Sequence, residues 1–339
     1  MKALVKLKAA AGLELIEVAK PSLKPYEVLI QVKKAAICGT DVHIYHWDKW
    51  ASQTIKPPLI IGHEFFGIIA QLGTEVVGFT LGQRVSGEGH LSCGSCRNCR
   101  TDKRHLCIQT QGLGIHYPGA FAEYVVLPAL NVIALPDSIP DDIAAILDPL
   151  GNAVHSACHF DISGQSLLIT GAGPIGLMAL LVAKQIGAYP IFMVDVNPER
   201  LLLAKKLGAT ETILSQHDNC KALMQAHHLE GFDHALEMSG QPQALQTLIE
   251  HVYPGAEIAL LGILPKETMV NGLDLIFKSL TLKGIYGRVL FKTWYKMLTL
   301  LAEGLDPRAI ITHHFKFSDY QQAFELAASG KAGKIILEW

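Results

Sequence analysis

The sequence predicts an α/β protein, a doubly wound parallel sheet joined to an irregular, mostly β domain that carries metal ligands. Three observations predict it. Strand and helix patterns alternate from Ser163 onward around one glycine-rich turn. Short strand-like runs broken by glycine and proline fill the first 150 residues. Cysteine, histidine and carboxylate residues cluster in two places within that first part. A chain of 339 residues is long enough for two domains of ordinary size, each with its own core.

Bulk composition narrows the function. Half of the residues are hydrophobic and 18% are charged, so disorder is excluded. A net charge of −2 with no long basic run argues against nucleic acid as a partner. No apolar stretch reaches membrane-spanning length, and Met1–Lys6 alternates like a strand, without a signal peptide's apolar core. A cytoplasmic protein is expected. In that compartment seven cysteines point to metal or catalysis before disulfides.

In the first part, Lys2–Lys6, Val28–Val32, Gly67–Leu72, Arg84–Ser86 and Ala122–Val126 are the expected strands. The run Glu27–Val32 alternates and is expected to be half-buried. It leads into Cys38-Gly39-Thr40-Asp41-Val42-His43, and Gly62-His63-Glu64 follows. Cys38, His63 and one carboxylate would form a mixed sulfur, nitrogen and oxygen set, which suits zinc with one position left for substrate. A buried thiol, a helix cap at Thr40 or Asp41 and solvent-facing histidines are the alternative. Cys93, Cys96, Cys99 and Cys107 place four thiols within fifteen residues. Such spacing can surround one zinc ion with no vacancy, a structural site; two disulfides or an iron–sulfur cluster are the alternatives. Glu88 and His90 stand just before this lobe and could line a pocket. Asp148 precedes Pro149 and an apolar helical pattern, where it would cap a helix.

In the middle of the chain, Ser166–Thr170 is a strand, Gly171-Ala172-Gly173-Pro174-Ile175-Gly176 opens an apolar helix, and Ile191–Asp195 is the next strand. Asp195 lies nineteen positions after the last glycine. This is the dinucleotide fingerprint of a Rossmann sheet. Gly171 permits the turn, Gly173 lets a pyrophosphate approach, and Gly176 lets helix pack on strand. Asp195 would accept hydrogen bonds from ribose hydroxyls and repel a 2′-phosphate, so NAD is expected; Arg200 would pack beside the adenine or ribose. Further strands are expected at 212–214, 233–237, 257–261 and 280–285, with helices between them. Ligands bind at the carboxyl ends of such strands, which places Gly262, Ile263, Leu264, Tyr286 and Gly287 near the nicotinamide. The helix at 294–302, a second at 320–328 and the strand at 334–337 are expected to return to the first domain.

With both constellations and the fingerprint in this order, the chain resembles the zinc-containing medium-chain alcohol dehydrogenases over its full length. Ala36–Tyr45, Ser86–His90, the Cys93–Cys107 lobe, Asp148–His155, Leu236–Gly240 and Gly284–Arg288 carry the resemblance. It implies a GroES-like catalytic domain at 1–148 with a structural zinc lobe at 90–110, an NAD-binding domain at 149–292, and a return at 293–339. It implies Cys38, His63 and Glu64 as ligands of a catalytic zinc, Cys93, Cys96, Cys99 and Cys107 as ligands of a structural zinc, and Thr40 and His43 as a proton relay. Cofactor contacts are implied at Ile175, Asp195, Arg200, Gly262–Leu264 and Tyr286–Gly287. Asp148 joins the catalytic group, at a place where many alcohol dehydrogenases of this superfamily have a cysteine ligand. The implied reaction is NAD-linked oxidation of a secondary alcohol, with an amino-alcohol preferred over a neutral polyol or diol. A homotetramer is implied.

Overall fold

The computed structural model describes residues 1–216 and 219–339. The chain forms two compact units, Met1–Pro149 with Arg308–Trp339, and Leu150–Pro307.

The first unit is built on a seven-stranded mixed sheet. Strands Val132–Ala134, Arg84–Gly87, Glu64–Leu72, Glu27–Ala36, Lys334–Glu338 and Ile311–Lys316 lie in that order, and Tyr124–Pro128 also pairs with Glu27–Ala36. A smaller sheet joins Glu14–Glu17, Lys2–Lys6 and Leu59–Ile60. Glu27–Ala36 departs from the half-buried alternation expected of it, because Glu27, Val28, Leu29 and Ile30 are all buried. The strand is central, with neighbours on both edges and helix Asp141–Ala145 packed against it, so both faces are buried at its start and only Gln31, Lys33 and Lys34 are partly exposed. Val28, Ile30, Phe65, Val85, Leu127 and Ile335 form the core of this unit.

The second unit is a six-stranded, all-parallel sheet. Its strands are Leu167–Thr170, Ile191–Asp195, Glu211–Leu214, Phe232–Glu237, Val252–Leu260 and Thr281–Gly284. Numbered in that sequence, their order across the sheet is 3-2-1-4-5-6, the doubly wound arrangement whose ligand crevice opens between strands 1 and 4. Helices Pro174–Gln185, Pro198–Leu207 and Pro242–His251 each begin on proline. Proline suits a first helical turn because its fixed φ is already helical and its missing N–H has no partner there to lose. Leu168, Phe192, Phe232, Leu248 and Ile258 fill the core.

One boundary is corrected. The return to the first unit begins at Arg308 and not at residue 293. Helix Lys292–Ala302 stays in the second unit, where it buries Trp294 and Met297, and Gln185 Nε2 donates to the Leu300 carbonyl at 3.0 Å. An amphipathic helix carries no mark in its sequence of which neighbour will cover its apolar face. Among the described residues no helix is long and apolar enough to cross a membrane.

Candidate metal centres and cofactor crevice

Three strand ends meet at the first cluster. Ala36 pairs with Glu64 on one side and with Ile336 on the other. Two residues past Ala36 the chain leaves the strand at Cys38, the N-cap of helix Gly39–His46. Glu64 opens the neighbouring strand, with His63 just before it. Gly62 precedes them with φ of +91°, and a Cβ there would lie 2.3 Å from the Phe121 ring, so the approach to His63 requires glycine. The sulfur of Cys38, a ring nitrogen of His63 and a carboxylate oxygen of Glu64 all lie within 4.8 Å of one another.

The surroundings of this cluster are charged and buried. Asp41 is fully buried; one oxygen accepts from the Cys38 amide at 2.9 Å and the other lies 3.7 Å from His63 Nδ1. Lys334 Nζ stands 2.5 Å from Glu64 Oε2 and donates to the Ile37 carbonyl at 2.8 Å. Burial pushes the Asp41 and Glu64 carboxyls up, opposed by the positive charge of His63 and Lys334. Burial would lower Lys334, but Glu64 and Cys38 outweigh it and hold the ammonium charged. Asp148 is in electrostatic range of Asp41, His63 and Glu64, yet stands outside the ligand-distance group. It lies in the first turn of helix Leu147–Ala157, beside Gly89, and His63 flanks the same glycine.

The donor set fits a zinc ion. Thiolate, imidazole and carboxylate are zinc ligands, three in number as an open site requires. Asp41 Oδ1, His63 Nδ1 and Glu64 Oε1 are buried without a hydrogen bond, and Lys334 offsets the charge only at the other Glu64 oxygen. Concentrated buried anions of this kind are costly unless a cation stands among them.

Thr40 and His43 lie one turn apart on helix Gly39–His46, three residues being the spacing of neighbours on one helical face. Thr40 is half-buried and His43 is exposed. His43 Nδ1 lies 2.6 Å from Asp48 Oδ2. Glu88 is fully buried and accepts from the His90 amide at 2.9 Å, with His90 Nδ1 at 2.8 Å from the same oxygen.

In the second cluster Cys93, Cys96, Cys99 and Cys107 come together. Their sulfurs are 3.5 Å (96 to 99), 3.9 Å (93 to 99) and 4.0 Å (96 to 107) apart. A tetrahedron of Zn–S bonds near ~2.3 Å has edges of about 3.8 Å, whereas a disulfide needs about 2.05 Å. These separations exclude the disulfide alternative and fit one enclosed ion. Backbone amides support the thiolates: Cys96 N–H donates to Cys93 Sγ and Cys93 N–H to Cys107 Sγ, each at 3.3 Å. Cys158 belongs to neither group.

The glycine-rich turn of the second unit fits a dinucleotide. A Cβ on Gly176 would lie 1.8 Å from the Gly171 carbonyl oxygen, so helix and strand pack only with glycine there. Gly173, by contrast, has ordinary φ and nothing within 4 Å of a built Cβ. The protein itself does not require glycine at 173; the space in front of it is what a pyrophosphate would fill. Asp195 ends strand 2, accepting from the Ala172 amide at 2.6 Å and the Asn197 amide at 2.8 Å. Ile175 and Arg200 are half-buried near the starts of the two helices that follow strands 1 and 2. Gly262 packs against Gly240 and the buried Glu237, while Ile263 is 94% exposed. Leu264 is half-buried and Tyr286 exposed, and Gly287 has φ of +53°.

Reading the sequence missed Lys334 and the pairing of Asp48 with His43, and it left Asp41 between a candidate ligand carboxylate and a helix cap. Lys334 lies almost 300 residues from Cys38, and only the register Ile336↔Ala36 brings it alongside. Removing one partner of a buried ion pair leaves the other charge uncompensated. Lys334→Met is therefore expected to lower the unfolding free energy of the metal-free protein by about 3 kcal/mol, measured by urea denaturation; an unchanged midpoint would contradict that role.

Two family models match, the alcohol dehydrogenase GroES-like domain over residues 24–137 and the zinc-binding dehydrogenase over residues 174–303. An L-threonine 3-dehydrogenase of Chromobacterium violaceum is 53% identical over 340 residues, covering 100% of both chains. A second, from Aeromonas salmonicida, is 52% identical and covers 100% of this chain and 99% of its own. Among solved structures, an alcohol dehydrogenase from Escherichia coli CFT073 complexed with NADH superposes with a TM-score of 0.92 at 30% identity, covering 100% of this chain and 99% of that one.

Proposed function

Because the chain belongs to the zinc-containing medium-chain alcohol dehydrogenases, we propose that it is an L-threonine 3-dehydrogenase. It oxidises the secondary hydroxyl of L-threonine to 2-amino-3-oxobutanoate, with NAD+ reduced to NADH and one proton released. The observation that carries this reading is the partly buried Cys38–His63–Glu64 cluster, in a chain matched end to end by relatives of that activity.

Cys38, His63 and Glu64 would hold the catalytic zinc, and Cys93, Cys96, Cys99 and Cys107 the structural one. Bound there, the catalytic zinc supplies Lewis acidity toward the substrate hydroxyl, and NAD+ is the hydride acceptor. Asp41 and Lys334 hold the imidazole and carboxylate from behind. Thr40 Oγ1 takes the hydroxyl proton and passes it toward His43, whose exposed ring returns it to solvent. We assign Asp148 to the proton path and not to coordination, since it stands beside the three ligands and not among them.

The glycine-rich turn and the helix end behind it take the pyrophosphate, and Asp195 takes the adenosine ribose; Ile175, Arg200, Gly262–Leu264, Tyr286 and Gly287 line the rest of the cofactor site. A carboxylate at 195 repels a 2′-phosphate. Asp195→Ser is expected to shift the NADP+/NAD+ ratio of kcat/KM toward NADP+ by at least about tenfold, some 1.4 kcal/mol. Steady-state kinetics with both cofactors check this, and an unchanged ratio would remove Asp195 from cofactor selection.

The reading is tested by NADH formation with L-threonine, sorbitol and 2,3-butanediol in parallel, on metal-quantified protein with and without chelator. Threonine-selective, chelator-sensitive turnover is expected. Turnover with the neutral diols alone would overturn the substrate and favour a polyol or diol dehydrogenase. We also place the enzyme in the cytoplasm as a homotetramer. Leu273, Ile276 and Phe277, beside edge strand Thr281–Gly284, are 63%, 74% and 82% exposed in the single chain and would be covered on assembly. A native mass of one 36.9 kDa chain would refute the tetramer.

A further inference from the structure

We propose that Asp48 is a positioning residue that fixes the tautomer of His43, keeping Nε2 open to receive the proton that leaves the active site. The proposal rests on the relay role of His43 given above. Its observation is a division of labour between two oxygens. Asp48 Oδ1 accepts from the Ala51 amide at 2.9 Å as the N-cap of helix Lys49–Thr54, and Oδ2 meets His43 Nδ1 at 2.6 Å.

The backbone puts the carboxylate there. Helix Gly39–His46 ends at Trp47 in the left-handed region, φ 56° and ψ 48°, with the Trp47 amide turned back toward the last carbonyls of the helix. That reversal carries Asp48 back over His43. Trp47 is held in turn, because Lys6 Nζ lies 5.0 Å from its ring while donating to the Gly12 carbonyl at 2.9 Å. Trp50 stands edge-on to the imidazole, its ring centroid 6.3 Å from that of His43. The Ala51 amide lowers the Asp48 carboxyl, and His43 adds to the effect, so Asp48 stays ionised and can only accept.

The chemistry follows from donor and acceptor counting. An ionised Asp48 requires a hydrogen on Nδ1, which leaves the lone pair on Nε2. Nε2 then accepts a proton from the relay, the imidazolium is held against Asp48, and the same proton leaves Nε2 for water. No bond other than N–H and O–H is made or broken. His43 is 62% exposed, so the last transfer goes directly to solvent.

Asn and Ser both cap helices well, so variants can keep the cap and change only the partner of His43. In Asp48→Asn the cap fixes the amide oxygen on Ala51, since the flipped amide would set its NH2 against the Ala51 N–H donor. The amide NH2 then donates to Nδ1, the hydrogen moves to Nε2, and the relay is blocked. In Asp48→Ser the contact is lost and both tautomers are allowed. The expected order of kcat is therefore wild type, then Ser, then Asn, with Asn lower than wild type by at least about tenfold. Added imidazole at fixed pH and ionic strength should raise kcat of the Asn variant and leave wild type unchanged. In a His43→Ala background Asp48→Asn should have no further effect. A merely structural Asp48 predicts the reverse, with the isosteric Asn milder than Ser and no response to imidazole, and that pattern would overturn the proposal. Measured with whichever secondary alcohol the wild type oxidises, the comparison stands even if threonine is not that substrate.

Discussion

Replacing Cys38 with serine is expected to lower turnover by at least about a thousandfold, near 4 kcal/mol of activation barrier. A neutral hydroxyl is a poor zinc ligand, and two ligands, His63 and Glu64, would remain where an open site uses three. Metal content should fall from two ions per chain to one, because the cysteine lobe is a separate cluster. Folding should survive, since serine is itself a strong N-cap residue and its hydroxyl can take the place of the Cys38 sulfur in the capping box with Asp41. Elemental analysis beside steady-state kinetics reads both quantities. A serine variant with full metal and full turnover would show that Cys38 is no ligand.

The second large effect lies in the lobe. Cys99 is its most buried thiol, 4% exposed, and its sulfur is in contact with those of Cys93 and Cys96. The segment around it has little apolar core: Gly94, Ser95, Arg97 and Arg100 are exposed. Metal binding must therefore supply most of its order, and structural zinc in small domains supplies about 10 kcal/mol or more. Cys99→Ser is expected to lose one ion and to open the chain between 93 and 107 to limited proteolysis. The Rossmann unit should remain protected, because its core contains no residue of the lobe. Equal protease resistance in variant and wild type would contradict a zinc-dependent lobe.

The parallel half of the fold was more legible than the mixed half. Strand Ile191–Asp195 and the helix after the glycine turn follow from apolar runs punctuated by glycine, because buried parallel strands carry no other signal to confuse. Strand Glu27–Ala36 runs four residues past its expected end at Val32. Lys33 and Lys34 look like a terminus until Lys34 is seen paired with Asp142 at 2.6 Å. Strand Ile311–Lys316 escaped notice because its sequence, Ile-Thr-His-His-Phe-Lys, belongs to an exposed sheet edge. Local spacing marked the four-cysteine lobe outright. Cys38, His63 and one carboxylate could be grouped from their residue types, the family resemblance pointed to Glu64 as that carboxylate, and strand register set the three side by side. Lys334 and Asp48 could not be found that way. One depends on pairing across the chain, the other on a left-handed turn at Trp47 that no residue pattern announces.

The measurement closest to the central claim is the fate of a deuterium label. L-Threonine carrying deuterium at C3 would be incubated with the metal-loaded enzyme and NAD+, and the reduced cofactor weighed. Abstraction of hydride from the carbon bearing the secondary hydroxyl predicts one deuterium in the NADH, and none when the label is at C2. Unlabelled NADH from the C3-labelled substrate, or no NADH at all beside active turnover of a neutral diol, would contradict the assignment of this chain as an L-threonine 3-dehydrogenase.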